Sequence, residues 1–193
     1  TLERLHAIDS SVQLILVLPA EQFGLWKELC RQYEFAVPLL LTSGGATRFH
    51  SVQNGLVQVD DIDEALVGVH DGVRPFVSPK VLDECFSRAW TDGAAIPMID
   101  LQDSLRHIVG SDATEVVPRD RYRLVQTPQV FHFDILRGAL KKAKQDGLAI
   151  TDDCSAVESV GMTVKIVEGD ERNIKITTPM DLKIAACLLE EMQ

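Results

Sequence analysis

The chain has 193 residues, which suits one domain, and its 46% hydrophobic and 25% charged residues are ordinary globular values that exclude wholesale disorder. A net charge of −10 excludes a broad nucleic-acid footprint, because neutralising phosphates needs a basic face, but a small anionic ligand needs only a few local cations. The apolar stretches are too short for a transmembrane helix, and the first residues lack the pattern of a signal peptide.

The four cysteines, Cys30, Cys85, Cys154 and Cys187, form no CxxC pair, and the histidines are scattered. This spacing argues against zinc and for reduced, mostly buried thiols in a cytoplasmic protein; with the charge and the short apolar runs above, the expectation is no nucleic-acid and no membrane partner.

Apolar runs rich in branched residues alternate with helical patterns along the chain. Val12–Leu18 reads as a buried strand, Glu21–Tyr33 as a helix and Val37–Thr42 as a second strand. Ser51–Val59 reads as a short helix after a glycine-bearing loop, and Leu66–His70 as a third strand. Ser78-Pro79 marks a helix start, with Ser as N-cap and Pro in the first turn, and that helix runs to about Trp90. Ala94–Pro97 reads as another strand. The polar stretch 100–123 reads as a projecting β-hairpin, with pieces at Leu105–Val109 and Glu115–Val117, and as a candidate oligomerisation arm. Arg123–Gln126 returns to the core, and Phe133–Gln145 is helical. Ser155-x-x-Glu158 fits a capping box, or lies inside a helix begun by Asp152 or Asp153. Thr163–Val167 is a strand, and Thr178-Pro179 opens a last helix to about Glu191. The alternation predicts an α/β sandwich with a mainly parallel sheet, which binds ligands at the carboxyl ends of its strands.

Four polar clusters follow predicted strands. Ser43-Gly44-Gly45 to Val52 joins a strand to a helix, where glycines permit close backbone approach and a helix N-terminus attracts anions; a plain connection has the same look. In His70-Asp71-Gly72-Val73-Arg74-Pro75, the Asp at a strand end can hold Mg²⁺ on a nucleotide and the Arg can grip a phosphate; a surface Asp–Arg pair is the alternative. Arg119, Arg121 and Arg123 alternate, which on a strand places them on one face, before the polar stop Gln126-Thr127-Pro128-Gln129. Lys175 lies just before the last helix, where it serves either a phosphate or the solvent.

Taken in order, these phrases resemble the 2-C-methyl-D-erythritol 4-phosphate cytidylyltransferase family. The matching phrases are Ser43-Gly44-Gly45 to Arg48, Ser51-Val52-x-Asn54-Gly55-Leu56, His70-Asp71-x-x-Arg74-Pro75-Phe76 and Gln126-Thr127-Pro128-Gln129-x-Phe131. Thr151-Asp152-Asp153-x-Ser155-x-x-Glu158 and Asn173-Ile174-Lys175-Ile176-Thr177-Thr178-Pro179-x-Asp181-Leu182 complete the set, so the resemblance covers nearly the whole chain.

The resemblance implies a Rossmann-like nucleotidyltransferase fold and a homodimer joined through the arm at 100–123. It also implies transfer of a cytidylyl group from CTP to methylerythritol phosphate, with Mg²⁺ and without a covalent intermediate. By the same resemblance, Gly44, Gly45 and Ser51 lie against the cytidine, and Asp71 serves nucleotide and metal. Arg74, Thr127 and Lys175 hold the polyol phosphate, and Arg119 reaches the partner subunit's substrate site. Asp103-Ser104-Leu105-Arg106 is similar to the family's Asp-Thr-x-Lys, which places Ser104 at the substrate, with Asp100 the alternative match for the Asp. The family's first strand and Gly-rich loop, with an Arg and a Lys for the triphosphate, have no counterpart before Thr1-Leu2-Glu3-Arg4, which resembles the helix after that loop. The expectation is therefore either a sequence that omits this segment or a truncated, inactive binding module. A ribitol 5-phosphate cytidylyltransferase shares the Asp-x-x-Arg-Pro and Asn-Ile-Lys-Ile-Thr phrases and is the nearest alternative activity. A nicotinamide dehydrogenase is disfavoured, because no GxGxxG follows a strand.

Overall fold

A computed structural model describes residues 1–59 and 64–192. In chain order, α1 (Leu2–Ile8), β1 (Ile15–Leu18), α2 (Phe23–Gln32), β2 (Leu40–Ser43) and α3 (Arg48–Leu56) make the first third. Next come β3 (Leu66–Val69), α4 (Pro79–Asp92), β4 (Ala94–Asp100), β5 (Arg106–Ile108), β6 (Thr114–Val116) and β7 (Arg123–Val125). The rest is β8 (Gln129–His132), α5 (Phe133–Gln145), α6 (Asp153–Ser159), β9 (Lys165–Glu168) and α7 (Pro179–Glu190).

The helix ends follow local chemistry. The Ser78 hydroxyl accepts from the Val81 N–H to open α4, Pro79 occupies the first turn, and Gly93 closes the helix at φ 90°, a left-handed conformation that favours glycine. Thr178 caps α7 in the same way, with Asp181 reaching back to complete a capping box. The box at α6 belongs to Asp152 as N-cap with Ser155 at its third position, so Ser155 lies inside the helix rather than before it. Helix α3 starts three residues earlier than its apolar pattern marks, because Thr47 accepts from the His50 N–H and fixes the first turn at Arg48.

Strand β4 is the centre. Its first four residues are buried on both faces. Period-2 alternation sends Ala94 and Ile96, with Phe131 of β8, into a core with Leu136 and Leu140 of α5 and Val157 of α6. It sends Ala95, Val130 and Val167 to the opposite core, against Val81, Cys85 and Ala89 of α4. One sheet thus lies between two helical layers, and the α/β class holds.

The sheet is mixed rather than mainly parallel. β9 runs parallel to β4 on one edge, while β7 and β8 run antiparallel along the other, and β8 also pairs antiparallel with β3. β1 and β2 pair in parallel as a separate two-stranded sheet, with no ladder to the five-stranded one among the described residues. The antiparallel element was missed in the sequence because β8 reads only Gln129–His132, four residues directly abutting a helix.

β7 and β8 are two halves of one interrupted strand. Between the pairs Ala95↔Val130 and Met98↔Val125, β4 has two residues and the opposing chain has four. The excess is a bulge at Gln126–Gln129 containing a cis Thr127–Pro128 peptide, next to the carboxyl end of β3. β5 and β6 form a separate antiparallel hairpin within 100–123. The three arginines expected on one strand face are not arranged so: Arg119–Arg121 is a 3₁₀ turn after Pro118, and only Arg123 is in a strand.

Candidate active site

The carboxyl ends of β3 and β9 and the bulge before the antiparallel β8 deliver the site. β3 ends at Val69, so His70 and Asp71 emerge at its carboxyl end. Antiparallel register pairs Val69 with Gln129, and two residues further out the same register sets Asp71 opposite Thr127. The contact is made there: the Asp71 N–H donates to Thr127 Oγ1 at 3.1 Å. β9 ends at Glu168, and the loop beyond it carries Asn173 and Lys175 back over β3, with the Ile176 N–H bonded to the Val73 carbonyl at 2.9 Å.

Asp71 is the electrostatic centre. Lys175 Nζ lies 2.9 Å from Oδ2, Arg74 Nε 3.6 Å from Oδ2 and Arg48 Nε 3.7 Å from Oδ1. Burial alone would raise the Asp71 pKa, but the Lys175 hydrogen bond and charge, with Arg48 and Arg74, outweigh it and hold the carboxyl below its usual value. Arg48 also reaches Asp153 Oδ2 with Nη1 at 2.8 Å. There burial dominates over Arg48 and the Asp153 carboxyl is pushed up. Three cations therefore face two carboxyls whose pKa values are moved in opposite directions, Asp71 down and Asp153 up. Arg74 is almost buried, gives Nη1 to the Asn173 carbonyl at 2.7 Å and holds its Nε without a hydrogen-bond partner. A buried donor in that condition suits an incoming anion.

The glycine loop meets this centre through α3. Gly45 N–H donates to Ser51 Oγ at 3.1 Å, and Ser51 Oγ donates to the Thr47 carbonyl at 3.0 Å, which folds the loop onto the first turn. A Cβ at Gly45 would come within 2.3 Å of His50 Cβ, so this approach requires glycine. Arg48, one turn from Ser51, links that loop to Asp71.

The sequence-derived candidates thus divide into two groups. Asp71, Arg74, Thr127 and Lys175 converge, with Gly44, Gly45 and Ser51 joined to them by Arg48. Arg119 and Ser104 lie elsewhere, at the base of the hairpin. Arg119 donates to the Gln102 carbonyl and lines a concavity of about 310 Å³ with Asp100, Asp120 and Arg123, and Ser104 is exposed, just after the bend at Asp103.

Several residues of the site had no role in the sequence reading. Gln126 is buried and clamps the β9 loop, donating Nε2 to the Asp170 carbonyl and accepting from the Asp170 N–H. Gln129 does the same for α6, donating to Asp152 Oδ2 and accepting from the Cys154 N–H. Asn173 is fully buried and donates Nδ2 to the Thr127 carbonyl at 2.9 Å. The signal was the cluster of amides in a polar strand end that packing could not explain.

Among the described residues no group of three or more His, Cys, Asp or Glu could hold a metal. Mg²⁺ retains several waters and usually takes one or two carboxylates with substrate phosphates, so the single Asp71 carboxylate fits a metal that arrives with a nucleotide.

Fold and site together define an α/β protein whose strand ends gather cations around one carboxylate beside a glycine loop, as phosphoryl-bearing nucleotides require. The family model described as 2-C-methyl-D-erythritol 4-phosphate cytidylyltransferase matches residues 1–191. The enzyme of that name from Phocaeicola vulgatus is 50% identical over 189 residues, 98% of this chain and 84% of its own length. The one from Geobacillus kaustophilus is 38% identical, over 98% of this chain and 82% of its own length. The crystal structure of 4-diphosphocytidyl-2C-methyl-D-erythritol synthase from Anaerococcus prevotii superposes with a TM-score of 0.87 at 28% identity, covering 98% of this chain and 84% of that one. That of the Thermus thermophilus cytidylyltransferase gives 0.79 at 35% identity, covering 96% and 85%. This chain belongs to the 2-C-methyl-D-erythritol 4-phosphate cytidylyltransferase family.

Proposed function

We infer that the protein transfers the cytidylyl group of CTP to 2-C-methyl-D-erythritol 4-phosphate, in isoprenoid biosynthesis. A phosphate oxygen of the polyol substrate attacks the α-phosphorus of CTP in line, the bond to the β-phosphate oxygen breaks, and pyrophosphate leaves. The observation that carries this reading is the convergence of Lys175, Arg74 and Arg48 on Asp71 at the carboxyl end of β3. Two anionic reactants repel, and fixed cations offset that repulsion without reorganising during the reaction.

Each group has a task. Gly44, Gly45 and Ser51 approach the cytidine with backbone and hydroxyl groups. Asp71 would hold Mg²⁺, which would neutralise phosphate charge when bound. Arg74 and Lys175 exchange Asp71 for the polyol phosphate, with Thr127 beside them. We further propose a homodimer joined through the hairpin at 100–123, which carries Arg119 and Ser104 to the partner's substrate. Exposed Ile108 and Val116 on β5 and β6 support an interface there. Among the described residues no helix is long and apolar enough to cross a membrane. The cysteines are free, with Cys85 and Cys154 buried, which supports a cytoplasmic site of action.

The test is pyrophosphate release from CTP and Mg²⁺ by the full-length protein. Methylerythritol phosphate and ribitol 5-phosphate are supplied separately. Release with methylerythritol phosphate is expected. Release with ribitol 5-phosphate alone would overturn the substrate, a reading to which the comparisons lend no support, and release with neither would overturn the activity.

A further inference from the structure

His70 has no part in the chemistry above, yet it is largely buried and bonded at both ring nitrogens. Nε2 lies 3.0 Å from the Arg74 carbonyl oxygen and Nδ1 lies 3.0 Å from Thr127 Oγ1. A carbonyl only accepts, so Nε2 carries the hydrogen. The buried Thr127 hydroxyl has two partners among the described residues, the Asp71 N–H, which only donates, and His70 Nδ1, so Nδ1 is the acceptor for its proton. The Thr127 hydroxyl then donates to Nδ1. Its oxygen in turn accepts the Asp71 N–H at 3.1 Å.

A directed chain results, from Asp71 N–H to Thr127 O–H to His70, and from Nε2–H to the carbonyl of Arg74. It begins and ends on the two residues whose side chains meet the phosphates. The Thr127 proton is already engaged, so a phosphate near it meets no free donor, and the hydroxyl serves Asp71 instead.

We propose that His70 is a positioning residue for cytidylyl transfer: its Nδ1 orients the Thr127 hydroxyl to hold the Asp71 backbone, while Nε2–H fixes the turn that carries Arg74. The proposal rests on the function inferred above. It changes the expected role of Thr127 from a donor to substrate phosphate to a support for Asp71.

Three arms test it on the full-length protein. The first compares His70→Asn, whose Oδ1 can take the place of Nδ1, with His70→Gln and His70→Ala. His70→Asn should keep kcat within about threefold, and the other two should lose about 10- to 100-fold, the usual cost of removing an orienting partner. The loss should appear in kcat rather than in KM for the polyol phosphate. Equal losses in all three variants would overturn the role of Nδ1. The second arm repeats His70→Ala in a Thr127→Val background, where the chain is already broken. A smaller loss than in the parent is expected, limited to the Nε2–H bond to the Arg74 carbonyl, and the same fold-loss as in the parent would overturn the coupling of His70 to Thr127. The third reads the imidazole directly by two-bond ¹H–¹⁵N correlation. An Nε2–H tautomer whose Nδ1 resonance moves on Thr127→Val is expected, and an Nδ1–H tautomer would overturn the proposal. This last arm needs no turnover. Absence of pyrophosphate release by the parent protein would therefore sink the inferred reaction, while the tautomer would still decide the hydrogen-bond chain.

Discussion

Replacing Lys175 by methionine separates what the charge does for folding from what it does for catalysis. Lys175 Nζ lies 2.9 Å from Asp71, a gross attraction of about 6 kcal/mol at an effective dielectric of about 20. That attraction does not become stability. The Lys175 side chain is 46% exposed, and pairs open to solvent are worth about 0.2–1 kcal/mol once screening and side-chain entropy are included. Nor is Asp71 orphaned by the change, since Arg74 and Arg48 remain at 3.6 and 3.7 Å. The methionine also keeps the apolar stem. Loss of stability should therefore stay under about 1 kcal/mol, or a fall in Tm of about 2–4 °C at this size. Catalysis should respond differently, because a fixed charge on a phosphate in the transition state is typically worth 10²–10³ in rate, about 2.7–4 kcal/mol. Pyrophosphate release and thermal unfolding on the same preparation give both numbers. A variant within threefold of the parent in kcat/KM, or one that loses stability in proportion to activity, would refute the assignment of Lys175 to the substrate.

Further outcomes follow from the same geometry. Gly45→Ala places a Cβ 2.3 Å from His50 Cβ and should lift the loop from α3, raising KM for CTP about tenfold or more. Gly44→Ala meets Ser51 Oγ at 3.1 Å, with the Leu18 carbonyl at an ordinary 3.6 Å, and should be milder, and the reverse order in steady-state kinetics would contradict this loop geometry. In a carboxyl ¹³C titration Asp71 should titrate below the ordinary Asp value of 3.8 and Asp153 above it. The Asp71 ion pairs then stabilise the fold above that value and are lost only as pH falls through the depressed native pKa. Asp153 has the opposite sign: its stabilising contribution is complete below the ordinary value and declines as pH rises through its raised native pKa. The two carboxyls titrating in the opposite order would remove the argument for Arg48 as a shared partner. For the proposed dimer, mixing inactive Arg119→Ala and Lys175→Met subunits should restore about a quarter of parental activity, because half the dimers are mixed and each has one intact site. No recovery on subunit exchange would place Arg119 in its own subunit's site.

Local chemistry carried much of this protein in its sequence. Ser78-Pro79 and Thr178-Pro179 open the helices where they were expected, since a hydroxyl cap and a proline in the first turn act within three residues of themselves. The strand at Leu66–Val69 and the polar cluster behind it were legible for the same reason: a run of branched apolar residues stops at Asp71, and a charged group at a strand end has to face water or a ligand. What tertiary structure alone decided is which distant groups meet there. The bulge that interrupts β7 and β8 depends on pairing with β4, and it sets Thr127 opposite Asp71 across 56 residues of chain. Arg48 was quoted in a motif without a role, because its two carboxylate partners lie on β3's end and α6. The alternating arginines misled because alternation implies a shared face only in a strand, and Pro118 turns that segment into a 3₁₀ helix. Sequence fixes the residues and their local caps through interactions a few residues apart; the site's charge balance comes from long-range pairing, which leaves no periodic trace in the chain.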